Sequence, residues 1–364
     1  MKPSADARPL RCVVVTGGGT AGHTVPTLPV IEHLLAQGCE VHFVGSHSGL
    51  EERLVKPLGV TYHGVSTGKL RRYFSLANLT DLARIPLGVV QAWFLLGRIG
   101  PQVVFAKGGF VSFAAAVAGW LRGVPLVTHE SDLTPGLANR LVAPLAQTVC
   151  VNFDETAGAL ARTVATGTPL RQALACGDAA RGRALLGIAT DKPVMLVVGG
   201  SLGATALNEV LRETLDALLP RFVVVHVCGP GRLDPSLEGR EGYVQREYID
   251  EGWGDVIATA DFVVSRAGAN ALYEWLALGK PHLLVPLPRS VSRGDQIENA
   301  EYARKRGLSL VIEQEKLTPA SLIDGVGCLA DALPAWRERL AGFGRRDSAQ
   351  LIVAELERAA ATRN

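Results

Sequence analysis

The chain repeats one supersecondary unit half its length apart. VVVTGGGTAGHTVPTLPVIEHL begins at Val13, and VMLVVGGSLGATALNEVLRETL begins at Val194. Each reads as a β-branched run, a glycine turn and a stretch of helical period. Gly18-Gly19 and Gly22 in the first match Gly199-Gly200 and Gly203 in the second. A strand–turn–helix unit of this kind belongs in a doubly wound parallel sheet, and two copies so far apart predict two such domains. A length of 364 residues, too long for one ordinary core, agrees.

Short apolar runs alternate with helical patterns along the whole chain. Strands are predicted at 11–15, 40–44, 102–106, 125–128, 148–151, 194–198, 222–227, 262–265, 281–285 and 309–312. Alternation of this kind is the signature of an α/β fold with parallel sheets. The boundary is expected at Thr166-Gly167-Thr168-Pro169, giving domains 1–166 and 167–344. The segment 345–364 reads as a helix, expected to join the first domain. Ligands of such sheets bind beyond the carboxyl ends of the strands, so the cleft between two facing domains is the expected site.

Composition removes several function classes. Apolar residues make up 48% and charged residues 20%, a globular profile. A net charge of +2 gives no reason to expect nucleic acid. The six cysteines show no CxxC spacing and read as reduced thiols, with neither a disulfide frame nor a zinc site. The N-terminus carries Asp6 and has no long apolar core, so it does not read as a secretory signal. The apolar runs 85–97 and 108–121 fall short of the roughly 18 residues of a spanning helix. A soluble protein, or one attached to a membrane surface, is expected.

The glycine turns carry the chemistry. Glycine after a strand lets backbone N–H groups approach a phosphate, and the next helix N-terminus favours negative charge. The same glycines would also serve tight packing of helix on strand. GGGTAG satisfies GxGxxG formally, yet no acidic residue ends a second strand about 20 residues on, so NAD is not indicated. No P-loop occurs. KGGFVS from Lys107 and HESD from His129 end two further strands. Glu130 is a charged group at a buried strand end, costly unless paired or used, which favours function; Asp132 reads first as a cap before Thr134-Pro135.

In the second half, SRAGAN is followed by a helix predicted over 269–278. Its start at Gly268, Ala269 and Asn270 suits a phosphate. Glu274, more than a turn inside, either accepts hydrogen bonds from ribose hydroxyls or is a solvated helix glutamate. Asp295, Gln296 and Asn299 sit at a loop-to-helix transition suited to sugar hydroxyls and equally to capping.

GGGTAGH, KGGFVS, HES, GTPLR, GGSLGA, YID, SRAGAN with Glu274, and GDQIENA occur in this order over most of the chain. Together they closely resemble the MurG family of peptidoglycan glycosyltransferases, in the wording (HESD, GLAN, GKLRRY) of its Gram-positive-type form. The resemblance implies GT-B architecture: two Rossmann-like domains facing a cleft. It implies inverting transfer of N-acetylglucosamine from UDP-GlcNAc to the C4 hydroxyl of the muramyl sugar of lipid I, forming lipid II. The enzyme would work at the cytoplasmic face of the cell membrane, with other cell-wall synthesis proteins as conceivable partners. Carried over motif by motif, the donor site comprises Thr20, Ala21, Gly22, Arg171, Ser201, Ile249, Gly268, Ala269, Asn270, Glu274 and Gln296. Two departures stand out. TAGH replaces the commoner TGGH, putting alanine where glycine tolerates more backbone geometry. Asp132 occupies the place of an asparagine and would repel a diphosphate.

Inverting transfer needs a base for the acceptor hydroxyl and stabilisation of the departing UDP. His23 is the leading base and Glu130 its competitor. No DxD triplet occurs, which fits an enzyme without metal or other cofactor, the diphosphate charge being met by helix N-termini and Arg171. On the acceptor side, Lys69, Arg71 and Arg72 form a basic cluster, and Leu82, Ile85, Val89 and Trp93 recur at helical spacing, with Trp120 after the next helix. This suits an anionic inner-leaflet surface, although an amphipathic helix facing the core gives the same apolar spacing. A UDP-GlcNAc 2-epimerase of the same architecture and a non-catalytic nucleotide-binding protein are the alternatives.

Overall fold

The computed structural model describes residues 9–47, 49–68, 76–200, 203–344 and 346–362. The chain divides into two compact units, Met1–Leu170 with Asp347–Asn364, and Arg171–Arg346.

The first unit holds a 7-stranded sheet whose strands pair in parallel. Its strands are β1 (Cys12–Thr16), β2 (Glu40–Ser46), β3 (Thr61–Val65), β4 (Val103–Ala106), β5 (Leu126–Glu130), β6 (Thr148–Val151) and β7 (Thr163–Ala165), in the order β3-β2-β1-β4-β5-β6-β7. Successive side chains face opposite ways. Val13, Val15, Phe43 and Phe105 enter one core with Ile31 and Leu34. Val14, Val44, Val104 and Ala106 enter another with Ala92, Leu96 and Ala115. Both faces are covered, which is why the inner strands read as unbroken apolar runs. The C-terminal helix Ser348–Ala361 starts on an N-cap at Asp347, whose carboxylate accepts from the Gln350 amide. Its Ile352, Val353 and Leu356 lie in the first of these cores.

The second unit repeats the plan with a 6-stranded parallel sheet. Its strands are β8 (Val194–Val198), β9 (Val223–Val227), β10 (Tyr243–Arg246), β11 (Phe262–Ser265), β12 (His282–Leu284) and β13 (Leu310–Val311), in the order β10-β9-β8-β11-β12-β13. In each sheet the strand order reverses between the first strand and the fourth, so β1/β4 and β8/β11 flank a topological switch point. Ligands of open α/β sheets bind beside such a reversal.

Three strands are absent from the sequence-based expectation: β3, β7 and β10. All three are edge strands, and their residues are mostly half-buried or exposed. Without a continuous apolar run they give no signal in composition. Among the described residues no helix is long and apolar enough to cross a membrane.

Candidate active site

Four loops follow β1, β4, β8 and β11, and they are the glycine-rich segments of the sequence. In the second unit, β11 ends at Ser265, Arg266-Ala267 follow, and the helix Ala269–Ala277 begins at its N-cap Gly268. A Cβ placed on Gly268 would meet nothing within 4 Å. The space around the N-cap is therefore open, which suits an anion at the helix end. Ala269 is buried and Asn270 half-buried.

Glu274 lies on the same helix, with a half-buried residue surface but an inward carboxyl. Burial pushes its pKa up to about 7, and the Arg171 guanidinium acts in the opposite direction. The two groups are thus electrostatic neighbours. Arg171 is the N-cap residue of the helix Gln172–Ala175, and its Nε is buried without a protein partner. Arg266 is buried too; its Nη1 donates to the Val285 carbonyl at 3.0 Å, while its Nε has no protein partner. In SRAGAN the sequence signals the helix start; burial of the arginine at the strand end is a property of the fold. Two buried guanidinium edges left open are donors in want of an acceptor.

Gln296 occupies the first turn of the helix Asp295–Lys305, and its Oε1 accepts from the Leu287 amide at 3.1 Å. Asn299 is buried and donates to the Ala267 carbonyl at 3.2 Å, tying this helix to the loop after β11. That bond braces the loop. Ile249 is half-buried against the core that holds Trp275. Ser201 lies outside the described residues.

The first unit presents a different chemistry. Gly17 and Gly18 are buried, and Thr20 and Gly22 are exposed. A Cβ on Gly18 would stand 2.8 Å from the carboxyl of Glu51, which is itself fully buried. Gly19 has φ +83°. Ala21 opens the short helix Ala21–Thr24, and Arg162 is the only described non-glycine residue with positive φ. Alanine at this point therefore carries no backbone strain, which removes the objection raised by TAGH. His23 is half-buried beside the loop after β4, where a Cβ on Gly109 would stand 3.0 Å from its Cδ2.

Lys107, at the end of β4, is 1% exposed. Its Nζ donates to Ser131 Oγ at 2.5 Å. Burial lowers its pKa to about 8, while Glu130 and Asp132 act to raise it. A cation thus stands beneath the HESD segment and compensates the acidic Asp132 there. The signal for Lys107 in the sequence is a charge at the end of an apolar strand.

Glu130 is buried, and its carboxylate is fully engaged. Oε1 accepts from the Asp132 amide at 2.9 Å; Oε2 accepts from the Gly136 amide at 2.8 Å and from Asn139 Nδ2 at 2.9 Å. It organises the turn 130–139, an arrangement unlike that of a proton acceptor waiting for a substrate. His129 is buried as well; its Nε2 donates to the Gly167 carbonyl at 2.9 Å, and burial holds its pKa well below the usual imidazole range.

Of the acceptor-side residues, Lys69, Arg71 and Arg72, and the side chain of Leu82, lie outside the described residues. The expected stripe through Ile85, Val89 and Trp93 is only partly a surface. Val89 packs on the core, and the exposed apolar line of the helix Leu76–Ile99 is Leu87, Val90 and Phe94. The registers differ by about a third of a turn, and hydrophobicity alone does not tell the two faces apart. Trp93 is exposed, with Arg122 stacked over its ring at 4.5 Å. Trp120 and Leu121, at the end of the helix Phe110–Leu121, are exposed as well.

Residues 13–151 match the glycosyltransferase family 28 N-terminal domain, and residues 194–339 match the C-terminal domain of that family. A UDP-N-acetylglucosamine--N-acetylmuramyl-(pentapeptide) pyrophosphoryl-undecaprenol N-acetylglucosamine transferase of Legionella pneumophila (strain Paris) is 49% identical over 86% of this chain and 87% of its own. A protein of the same name from Lachnoclostridium phytofermentans is 45% identical over 96% of this chain and 99% of its own. The crystal structure of Acinetobacter baumannii MurG superposes with a TM-score of 0.75 at 25% identity, covering 96% of this chain and 99% of that one. The UDP-GlcNAc 2-epimerase of Neisseria meningitidis reaches 0.67 at 15% identity, a likeness of fold alone. Two parallel-sheet Rossmann-like units in GT-B form, with both family domains matched in order, place the chain in glycosyltransferase family 28 and, within it, in the MurG family.

Proposed function

We propose that the chain transfers N-acetylglucosamine from UDP-GlcNAc to the C4 hydroxyl of the muramyl sugar of lipid I, forming lipid II with inversion at the anomeric carbon. The observation that carries this reading is the near-full-length relationship to proteins named for that reaction. The second unit supports donor binding. The open first turn of the helix Ala269–Ala277 suits the diphosphate, and Glu274 suits the ribose hydroxyls. Arg171 offers a guanidinium edge for charge that grows as UDP departs.

His23 is the proposed base. An imidazole titrates near neutral pH, and this one is half-buried beside the loop after β4. The acceptor hydroxyl gives its proton to the imidazole, its oxygen bonds to the anomeric carbon, and the bond to the UDP oxygen breaks. Glu130 holds the turn beside this chemistry. The proposed membrane-facing surface is the apolar line Leu87, Val90 and Phe94 with Trp120 and Leu121, accompanied by the exposed Arg84 and Arg98. Apolar insertion flanked by cations suits an anionic leaflet.

Incubation of labelled UDP-GlcNAc with a lipid I analogue tests the reaction. Disaccharide and UDP are expected. UDP-ManNAc without disaccharide would reassign the chain as an epimerase, and unchanged nucleotide as a binding protein.

A further inference from the structure

The strongest unassigned cluster lies at the opposite end of the first sheet from the glycine loops. Parallel pairing of β1 with β2 sets Cys12 beside Glu40 and Val14 beside His42. Cys12, Glu40 and His42 alternate with core residues of the other face, so all three point to the same side of the sheet. One ligand atom from each lies within 4.8 Å of the others. His42 Nε2 stands 3.0 Å from Glu40 Oε1. We propose that these three side chains bind a zinc-class transition-metal ion, with solvent completing the shell.

The donor set selects the ion. A thiol, an imidazole and a carboxylate are together a mixed sulfur, nitrogen and oxygen set, the kind Zn(II) takes in tetrahedral geometry. Calcium and magnesium take oxygen alone. Binding forms a metal–sulfur bond and releases the thiol proton to solvent.

A second observation points the same way. His42 Nδ1 lies 3.0 Å from His63 Nε2 on β3. Two imidazole nitrogens at that distance share one proton. When Nε2 of His42 takes the metal, Nδ1 carries its hydrogen and His63 accepts it. A metal-bound histidine regularly donates its other N–H in this way, which fixes tautomer and ring orientation. The site thus has an oriented ligand as well as three donors. Its access is also suitable: the His42 side chain is 12% exposed and that of Glu40 68%, so Glu40 can close over an ion arriving from solvent. The absence of CxxC spacing does not bear on it, because sheet register rather than sequence proximity brings the ligands together.

The test uses the full chain, stripped with chelator and titrated with Co(II) and then Zn(II). One equivalent per chain is expected, with a thiolate-to-cobalt charge-transfer band and a zinc-dependent rise in Tm. Cys12→Ser should abolish the band. His42→Ala should weaken zinc at least tenfold, and His63→Ala should weaken it about 10–100-fold, the usual range for a residue that orients a ligand. A band that persists in Cys12→Ser is carried by another thiol, Cys39 beside Glu40 or the exposed Cys176 or Cys328, and overturns the proposal. Should Cys12→Ser or His42→Ala fail to fold, Glu40→Ala decides. Glu40 is exposed, so the metal-free Tm should hold while zinc affinity falls at least tenfold, about 1.4 kcal/mol. Unchanged zinc affinity in that variant overturns the proposal.

Discussion

The imidazole of His23 rests on the backbone of Gly109. A Cβ at Gly109 would stand 3.0 Å from His23 Cδ2 and 2.7 Å from the Gly18 carbonyl, and Gly109 has φ +81°. The loops after β1 and β4 therefore meet across the switch point of the first sheet, and glycine is what lets them meet. Gly109 has ψ 161° as well, a region of backbone space that is essentially glycine-only, so Gly109→Ala adds strain of roughly 1–3 kcal/mol and a collision with the histidine. Turnover should fall at least about tenfold, with UDP affinity changed little. Full activity in a steady-state assay would show that the His23 position is not critical.

His23→Ala removes the proposed base. General-base catalysis contributes about 10²–10⁴-fold, so kcat should fall by that order while UDP binding by calorimetry stays near wild type. A loss confined to UDP affinity would instead make His23 a donor ligand.

Glu130→Gln separates a turn anchor from a base. Its carboxylate accepts three hydrogen bonds in the turn 130–139, and an amide would turn an NH₂ toward one of those donors. An unsatisfied buried group costs about 1–3 kcal/mol. Thermal unfolding should show a lowered Tm accompanying any loss of rate. Lost turnover at an unchanged Tm would restore Glu130 as the base.

Glu274 should make donor binding pH-dependent. Its pKa is pushed up to about 7 by burial. The free protein therefore holds a neutral acid below that pH, whereas the ribose hydroxyls are best accepted by the carboxylate. UDP affinity should fall as pH drops from about 8 to 6, approaching tenfold per unit below the pKa. Stability runs the other way. A carboxyl with a raised folded pKa is most favourable below its unfolded value and costs stability as pH rises through about 7. Glu274→Gln should bind UDP weakly with a flat pH profile, and gain stability relative to wild type above neutral pH. A wild-type affinity constant across this range would remove Glu274 from the ribose.

The apolar line can be tested without touching the core. Leu87 and Phe94 are 50% and 57% exposed, so Leu87→Glu with Phe94→Glu should leave Tm nearly unchanged. Sedimentation with vesicles containing anionic lipid should drop several-fold, each inserted apolar side chain being worth on the order of 1–2 kcal/mol. Equal sedimentation of variant and wild type would exclude this face as the contact.

The sequence by itself determined the architecture. Apolar runs at 194–198 and 262–265 coincide with β8 and β11, because inner parallel strands are buried on both faces and leave an unbroken signal. Glycine turns marked the loops at the switch points, and the order of motifs indicated the family. Edge strands β3, β7 and β10 stayed hidden, since solvent on one side removes the constraint that makes a strand legible. Tertiary structure alone decided the rest. It turned Glu130 inward onto its own turn, and put Lys107 beneath it to compensate Asp132. It rotated Val89 into the core and Phe94 out, and through strand register brought Cys12 to His42. Sequence records what a residue is and how far along the chain its neighbours lie. Hydrogen-bond saturation, desolvation and ligand geometry depend on which distant groups the fold brings within a few ångströms.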